Sequence, residues 1–103
     1  MAKPEITISE QGTYRSVTFE IPGGVTTPSE FAEATGKILD QLPGDRVVLV
    51  NGRGPIWAYA MLVHGAHATP AVAVNDPRLG YIVVATHDPR YSLGQNLGSE
   101  PWA

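Results

Sequence analysis

Val47-Val48-Leu49-Val50 is an unbroken apolar run, framed by Arg46 and Asn51. A run this short is a strand, and a strand without polar alternation has both faces covered. A helix follows it, opening at Gly54-Pro55 and ending by Thr69, because Pro70 pushes its predecessor out of helical geometry. Ala71 to Val74 is a second apolar strand. Strand, helix and strand make a βαβ unit, whose two strands run parallel.

The rest of the chain supplies elements of a different character. Glu5 to Ser9 alternates Ile6 and Ile8 with polar residues, and after a turn at Gln11-Gly12, Tyr14 to Ile21 sets Val17, Phe19 and Ile21 on one face. This pattern predicts a β-hairpin with one buried side. Thr27-Pro28-Ser29-Glu30 is a capping box with proline at the first helical position. The helix it opens has an inward stripe of Phe31, Ala34, Ile38 and Leu42, and Pro43-Gly44 stops it. Tyr81 to Ala85 is the last strand, reached through Asp76-Pro77-Arg78-Leu79-Gly80. The expected architecture is α/β: a small mixed β-sheet with two helices, element order ββαβαββ, in a single domain over 1–88. Residues 89–103, with Pro89, Gly94, Gly98 and Pro101, form an irregular C-terminal tail that would serve as a linker if the protein carries another domain.

The chain has no cysteine, which removes disulfides and thiolate chemistry and suggests a reducing compartment. The start, MAKPEITISE, lacks an apolar leader, and no apolar run reaches membrane-spanning length. The expectation is a soluble, cytoplasmic protein with no membrane partner. Seven Lys and Arg against ten Asp and Glu, a net charge of −3, do not suit a duplex DNA binder, so any nucleic-acid partner is small or single-stranded. The charge is unevenly spread. Between Asn51 and His87 stand Arg53 and Arg78 against one acid, Asp76, so this block carries +1 while the remaining sequence carries −4. A cationic patch on an acidic protein suggests an anionic ligand held there.

The chemistry falls on two rims of the sheet. Asn51-Gly52-Arg53-Gly54 leaves one parallel strand into a helix N-terminus, whose amides and dipole favour an anion. Asp76-Pro77-Arg78 leaves the other strand on the same rim, the side where open α/β sheets bind ligands. Each loop also has a bland explanation: a tight strand-to-helix turn for the first, and a hairpin turn for the second that leaves Arg78 unaccounted for. All three histidines, His64, His67 and His87, belong to the opposite rim. His64 and His67 lie 60° apart in the last helical turns at 100° per residue, and the final strand returns His87 to the same end. Two histidines at this spacing are a weak metal signal, and a histidine there can simply answer the helix dipole. A strand of four or five residues spans roughly 15 Å, so the two rims cannot meet within one subunit. Their groups could cooperate only if copies of the protein stack rim to rim.

The string GRGPIW, an apolar helix ending in histidines, then TPAVAVNDPRLG, a strand and a final histidine resembles a small CRISPR-associated family. That family is the ring nuclease of type III systems, the third of the Csx-type proteins. The similarity runs from Gly52 to His87 and holds in order and spacing over several motifs; Ala68 and Asn75 stand where family members often have a histidine and an aromatic residue. The resemblance implies a dimer that degrades cyclic tetra-adenylate sandwiched in a stacked tetramer, with catalytic groups from both sides. By motif position it implies His67, Asp76, Arg78 and His87 in catalysis, Arg53, Gly54, Pro55 and His64 against the ligand, and manganese (Mn2+) on Asp76 and His67. A manganese-dependent 3′ exoribonuclease acting on short single-stranded RNA, a non-catalytic cyclic-nucleotide sensor, and an adaptor with incidental metal binding are the alternatives.

In the mechanism so implied, a ribose 2′-OH attacks the adjacent phosphate. It needs a base, an acid for the leaving 5′-oxygen and positive charge on the phosphorane. His67 is the leading acid/base candidate, since imidazole titrates near neutrality. Arg78 would stabilise charge, Asp76 would position the ribose or bind a divalent ion, and His87 would transfer a second proton or orient the site.

Overall fold

The computed structural model describes residues 3–40 and 42–103. Strands β1 (Glu5–Gln11) and β2 (Tyr14–Glu20) are followed by a 3-10 turn (Pro22–Gly24) and helix α1 (Pro28–Leu39). Then come β3 (Val47–Gly52), α2 (Ile56–Gly65), β4 (Ala71–Asp76) and β5 (Gly80–Thr86). The expected α/β order is realised, with the 3-10 turn as an addition. The five strands form one sheet in the order β1-β2-β3-β4-β5. β2, β3 and β4 are mutually parallel, while β1 and β5 pair antiparallel at the two sides.

Alternation along the strands separates two cores. Val17, Phe19, Val48, Val50 and Val72 face the helices and meet Phe31, Leu39, Ala58 and Leu62. Edge-on aromatic contacts knit this layer: Phe19 to Phe31 at 5.5 Å, Phe19 to Tyr59 at 5.1 Å and Phe31 to Trp57 at 5.8 Å. The α1 stripe is rotated from the expected one. Phe31, Thr35 and Leu39 are its buried residues, with Ala34 and Ile38 half-buried on its flank. The rotation turns Leu39 towards α2, where Gly65 leaves it room; a Cβ at Gly65 would overlap the Leu39 side chain. The Thr27 hydroxyl accepts from the Glu30 amide at 3.2 Å, the N-cap half of the expected capping box, while the Glu30 carboxylate meets the Thr27 hydroxyl at 3.3 Å.

The opposite face carries Leu49, Ala73, Tyr81 and Val83, and the C-terminal tail covers it with Tyr91, Leu97 and Trp102. The tail forms no helix or strand of its own, yet it does not run free. The Val83 amide donates to Gln95 O at 2.9 Å, and the Leu97 amide donates to Tyr81 O at 2.8 Å. The Tyr81 amide donates to Gly98 O, also at 2.8 Å. Backbone bonds at alternate residues lay 95–98 along the outer border of β5 like an extra strand. β3 is thus covered on both faces, as its composition demands. The hairpin differs from its one-sided expectation, because Arg15 and Ser16 in β2 are buried as well as Val17 and Phe19.

Arg15 lies at the start of β2 and donates to Asp45 Oδ1 at 2.9 Å and Glu10 Oε1 at 3.2 Å. The hydrogen bond from Arg15 holds the Asp45 carboxyl below its ordinary range. Among the described residues, no helix is long and apolar enough to cross a membrane.

Candidate functional site

The parallel pairing of β3 with β4 brings Asn51 and Asp76 to one rim. There the Asn75 Nδ2 donates to Asn51 Oδ1 at 3.2 Å. The turn between β4 and β5 is held by Asp76, whose Oδ1 accepts from the Arg78 amide at 2.8 Å and the Leu79 amide at 3.2 Å. This is the local job that the sequence Asp-Pro-Arg-Leu-Gly performs. The Arg78 side chain is 88% exposed, and its Nε stands 3.8 Å from Asp76 Oδ1. A surface pair at that distance adds little stability, so the guanidinium is available to an anion. Asn51, Asn75, Asp76 and Arg78 line a cleft of about 510 Å³, together with Glu100 and Trp102 from the tail.

Arg53, Gly54 and Pro55 follow on the same rim but lie outside the lining of that cleft. Arg53 is exposed. Its position is set by Tyr59, whose hydroxyl accepts from the Gly52 amide at 3.1 Å and donates back to the Gly52 carbonyl. Burial pushes the Tyr59 phenol up, keeping it a neutral donor. Gly52 and Gly54 answer to packing: a Cβ on Gly52 would fall 2.4 Å from Phe19 O, and one on Gly54 would fall 2.7 Å from Phe19 Cε2. Pro55 caps α2 without a side-chain hydrogen bond.

The histidines gather at the other end. The rings of His64 and His67 stack with centroids 5.7 Å apart. His67 Nδ1 sits 2.8 Å from His64 O, and His87 Nε2 sits 3.0 Å from His67 O. A carbonyl oxygen only accepts, so each of those ring nitrogens carries a proton. In the neutral form of each ring, the nitrogen left without a proton is Nε2 of His67 and Nδ1 of His87. The His87 amide also donates to Pro70 O at 2.9 Å, which ties the loop after α2 to the end of β5. All three imidazoles are exposed.

β4 separates its ends by about 17 Å at roughly 3.3 Å per residue, so His67 and Asp76 do not meet within one chain. No group of three or more metal-binding side chains exists among the described residues. Within one chain the expected manganese pair of Asp76 and His67 is therefore not assembled, and one oxygen of Asp76 is already occupied by the turn. The structure brings together His64, His67 and His87 at one rim, and Asp76 with Arg78 at the other. The sequence placed Asn51 in the rim loop and marked Asn75 as a departure from the family, but not their amide pairing; Glu100 and Trp102 escaped it, lying in a tail read as irregular. Beside His87, Arg90 binds Asp88 with Nη2 2.7 Å from Oδ2, and these bonds hold the Asp88 carboxyl low.

The chain is 46% identical over 48 residues to an uncharacterized protein of Aquifex aeolicus (strain VF5). That match covers 46% of this chain and 43% of the relative, less than half of its length. The family model described as CRISPR-associated protein (Cas_csx3) matches residues 31–98, a span that includes both rims, and the chain belongs to that family.

Proposed function

We propose that the protein cleaves a cyclic oligoadenylate, cyclic tetra-adenylate in the first instance, in a site shared between stacked copies. Membership of a CRISPR-associated family supports the setting. The observation that carries the chemistry is the division of labour along β4: fixed-tautomer imidazoles at one end, an exposed guanidinium and a carboxylate at the other. The imidazoles supply proton transfer and the guanidinium supplies charge for the phosphorane, and the strand between them keeps the two apart within one copy.

When the His67 rim of one copy faces the Asp76 rim of the next, the two halves become complementary. Nε2 of His67 takes the proton of a ribose 2′-OH, and the 2′-oxygen attacks the adjacent phosphorus. The bond to the 5′-oxygen breaks, and that oxygen receives the proton that His67 took from the 2′-OH, which returns the imidazole to its starting state. The products are a 2′,3′-cyclic phosphate and a 5′-hydroxyl. Arg78 neutralises charge on the phosphorane. The free oxygen of Asp76 orients the ribose. His87 acts through the backbone, because its Nε2–H grips the His67 carbonyl and fixes the loop that carries the base. No step here runs through a metal ion.

The test is complementation. His67→Ala and Asp76→Asn each lower cleavage of cyclic tetra-adenylate at least about tenfold, a floor set below the roughly 10²- to 10⁴-fold that a positioned acid or base contributes. Asn at position 76 can still accept the turn amides, so the fold survives. An equal mixture of the two inactive variants regains activity, because some interfaces pair two intact halves. Two folded variants whose mixture stays inactive would refute the shared site.

A further inference from the structure

The family match ends at residue 98, but the wall of the cleft continues beyond it through Glu100 and Trp102. Their placement is enforced by the backbone. Besides the bond from the Tyr81 amide to Gly98 O, Asn96 Nδ2 donates to Leu79 O at 2.8 Å. A Cβ on Gly80 would fall 2.6 Å from the Gly98 carbonyl carbon, so the tail lies directly on the turn that carries Asp76 and Arg78. Gly80 itself has φ 106°, which suits glycine. The Trp102 indole rests edge-on against Tyr81, with centroids 6.1 Å apart at 70°, and lines the cleft.

The amide pair of Asn51 and Asn75 lines the same cleft. With Nδ2 of Asn75 bonded to Asn51 Oδ1, the Asn75 amide keeps an acceptor oxygen and one N–H with no other partner among the described residues. That is the complement of an adenine edge, which offers the N6 amine as donor and N7 as acceptor. An indole is a stacking platform for a base, and Arg78 offers charge to a phosphate. Base face, base edge and phosphate are each matched within one cleft.

We propose that the tail completes an adenine-nucleotide subsite, in which Trp102 stacks on the base, the Asn75 amide reads its edge and Arg78 holds its phosphate. This rests on the reading of a cyclic oligoadenylate as ligand and adds where one of its bases is recognised. The tail is then a specificity element contributed by residues outside the family match.

Titrating the full chain with cyclic tetra-adenylate, and with the ring in which inosine replaces adenosine, tests it. Trp102→Ala weakens binding of the adenosine ring by about 5- to 150-fold, the range of one lost stack, while Trp102→Phe stays within about threefold of the wild type. Asn75→Ala lowers the preference for the adenosine ring over the inosine ring, a ratio that a mere loss of folding would leave alone. Wild-type affinity in Trp102→Ala would overturn the subsite, as would equal losses in the Ala and Phe variants or an unchanged ratio in Asn75→Ala. A wild type that binds neither ring would instead refute the proposed function, and the subsite with it.

Discussion

Gly54→Ala separates packing from ligand approach as the reason for glycine at the end of the loop that leads from β3 into α2. The added methyl would sit 2.7 Å from Phe19 Cε2 and 3.1 Å from Ile21 Cδ1. The isoleucine methyl can rotate away, but the Phe19 ring cannot. It is 2% exposed and held edge-on between Phe31 and Tyr59. Overpacking of this kind costs about 1–3 kcal/mol. Alanine restricts the unfolded chain and recovers roughly 0.4–1 kcal/mol of that. The net loss runs from near zero to about 2.6 kcal/mol, and at its centre of roughly 1.3 kcal/mol it lowers Tm by roughly 5–10 °C for a domain of this size. Thermal melts followed by circular dichroism read the shift, and urea titration should show a lower midpoint at unchanged slope. A variant that melts like the wild type but no longer binds cyclic tetra-adenylate would refute the reasoning. The bare Cα would then be needed by the ligand, as in loops that let a phosphate approach the backbone.

Two further outcomes follow from local geometry. Thr27→Ala removes the hydroxyl that accepts from the Glu30 amide and should cost about 1 kcal/mol, seen as a Tm lower by roughly 4–8 °C. An unchanged melt would mean that the exposed first turn of α1 is already satisfied by water. Asp45→Asn probes the ion pair with Arg15. The folded carboxyl titrates below its unfolded value, so its stabilisation is complete above that value, near pH 4, and is lost as pH falls through the folded one. The variant should therefore melt below the wild type at pH 7, with the gap closing in melts taken below about pH 4. A gap that stays constant with pH would show that the carboxylate charge contributes nothing.

The parts legible in the sequence were those fixed by neighbours along the chain. Thr27 to Glu30 encode a cap within four residues, and Pro70 marks a helix limit by its own ring. The run Val47–Val50 implied cover on both sides of the sheet, but not what supplied it. That role falls to Tyr91, Leu97 and Trp102, whose uneven spacing has no helical or strand period and whose place is fixed by bonds to β5. The turn of α1 towards Leu39 was equally hidden, because it depends on a glycine in another helix. At the site, the two-rim separation could be read from topology, since a strand's length and direction dictate it. The roles of Gly52 and Gly54 could not, for the ring they accommodate belongs to β2, more than thirty residues earlier. Glu100 and Trp102 reach the cleft only through the tail's course along the sheet border.

That course governs how the molecule can meet others. Residues 95–98 occupy the hydrogen-bonding groups that β5 would otherwise offer to a neighbouring sheet. The remaining border is β1, which carries Glu5 and Glu10. Two such borders brought together would crowd acidic side chains, which discourages lateral growth into ribbons or fibrils. Strand addition through the backbone is thereby obstructed along 95–98 on one flank and penalised by charge on the other.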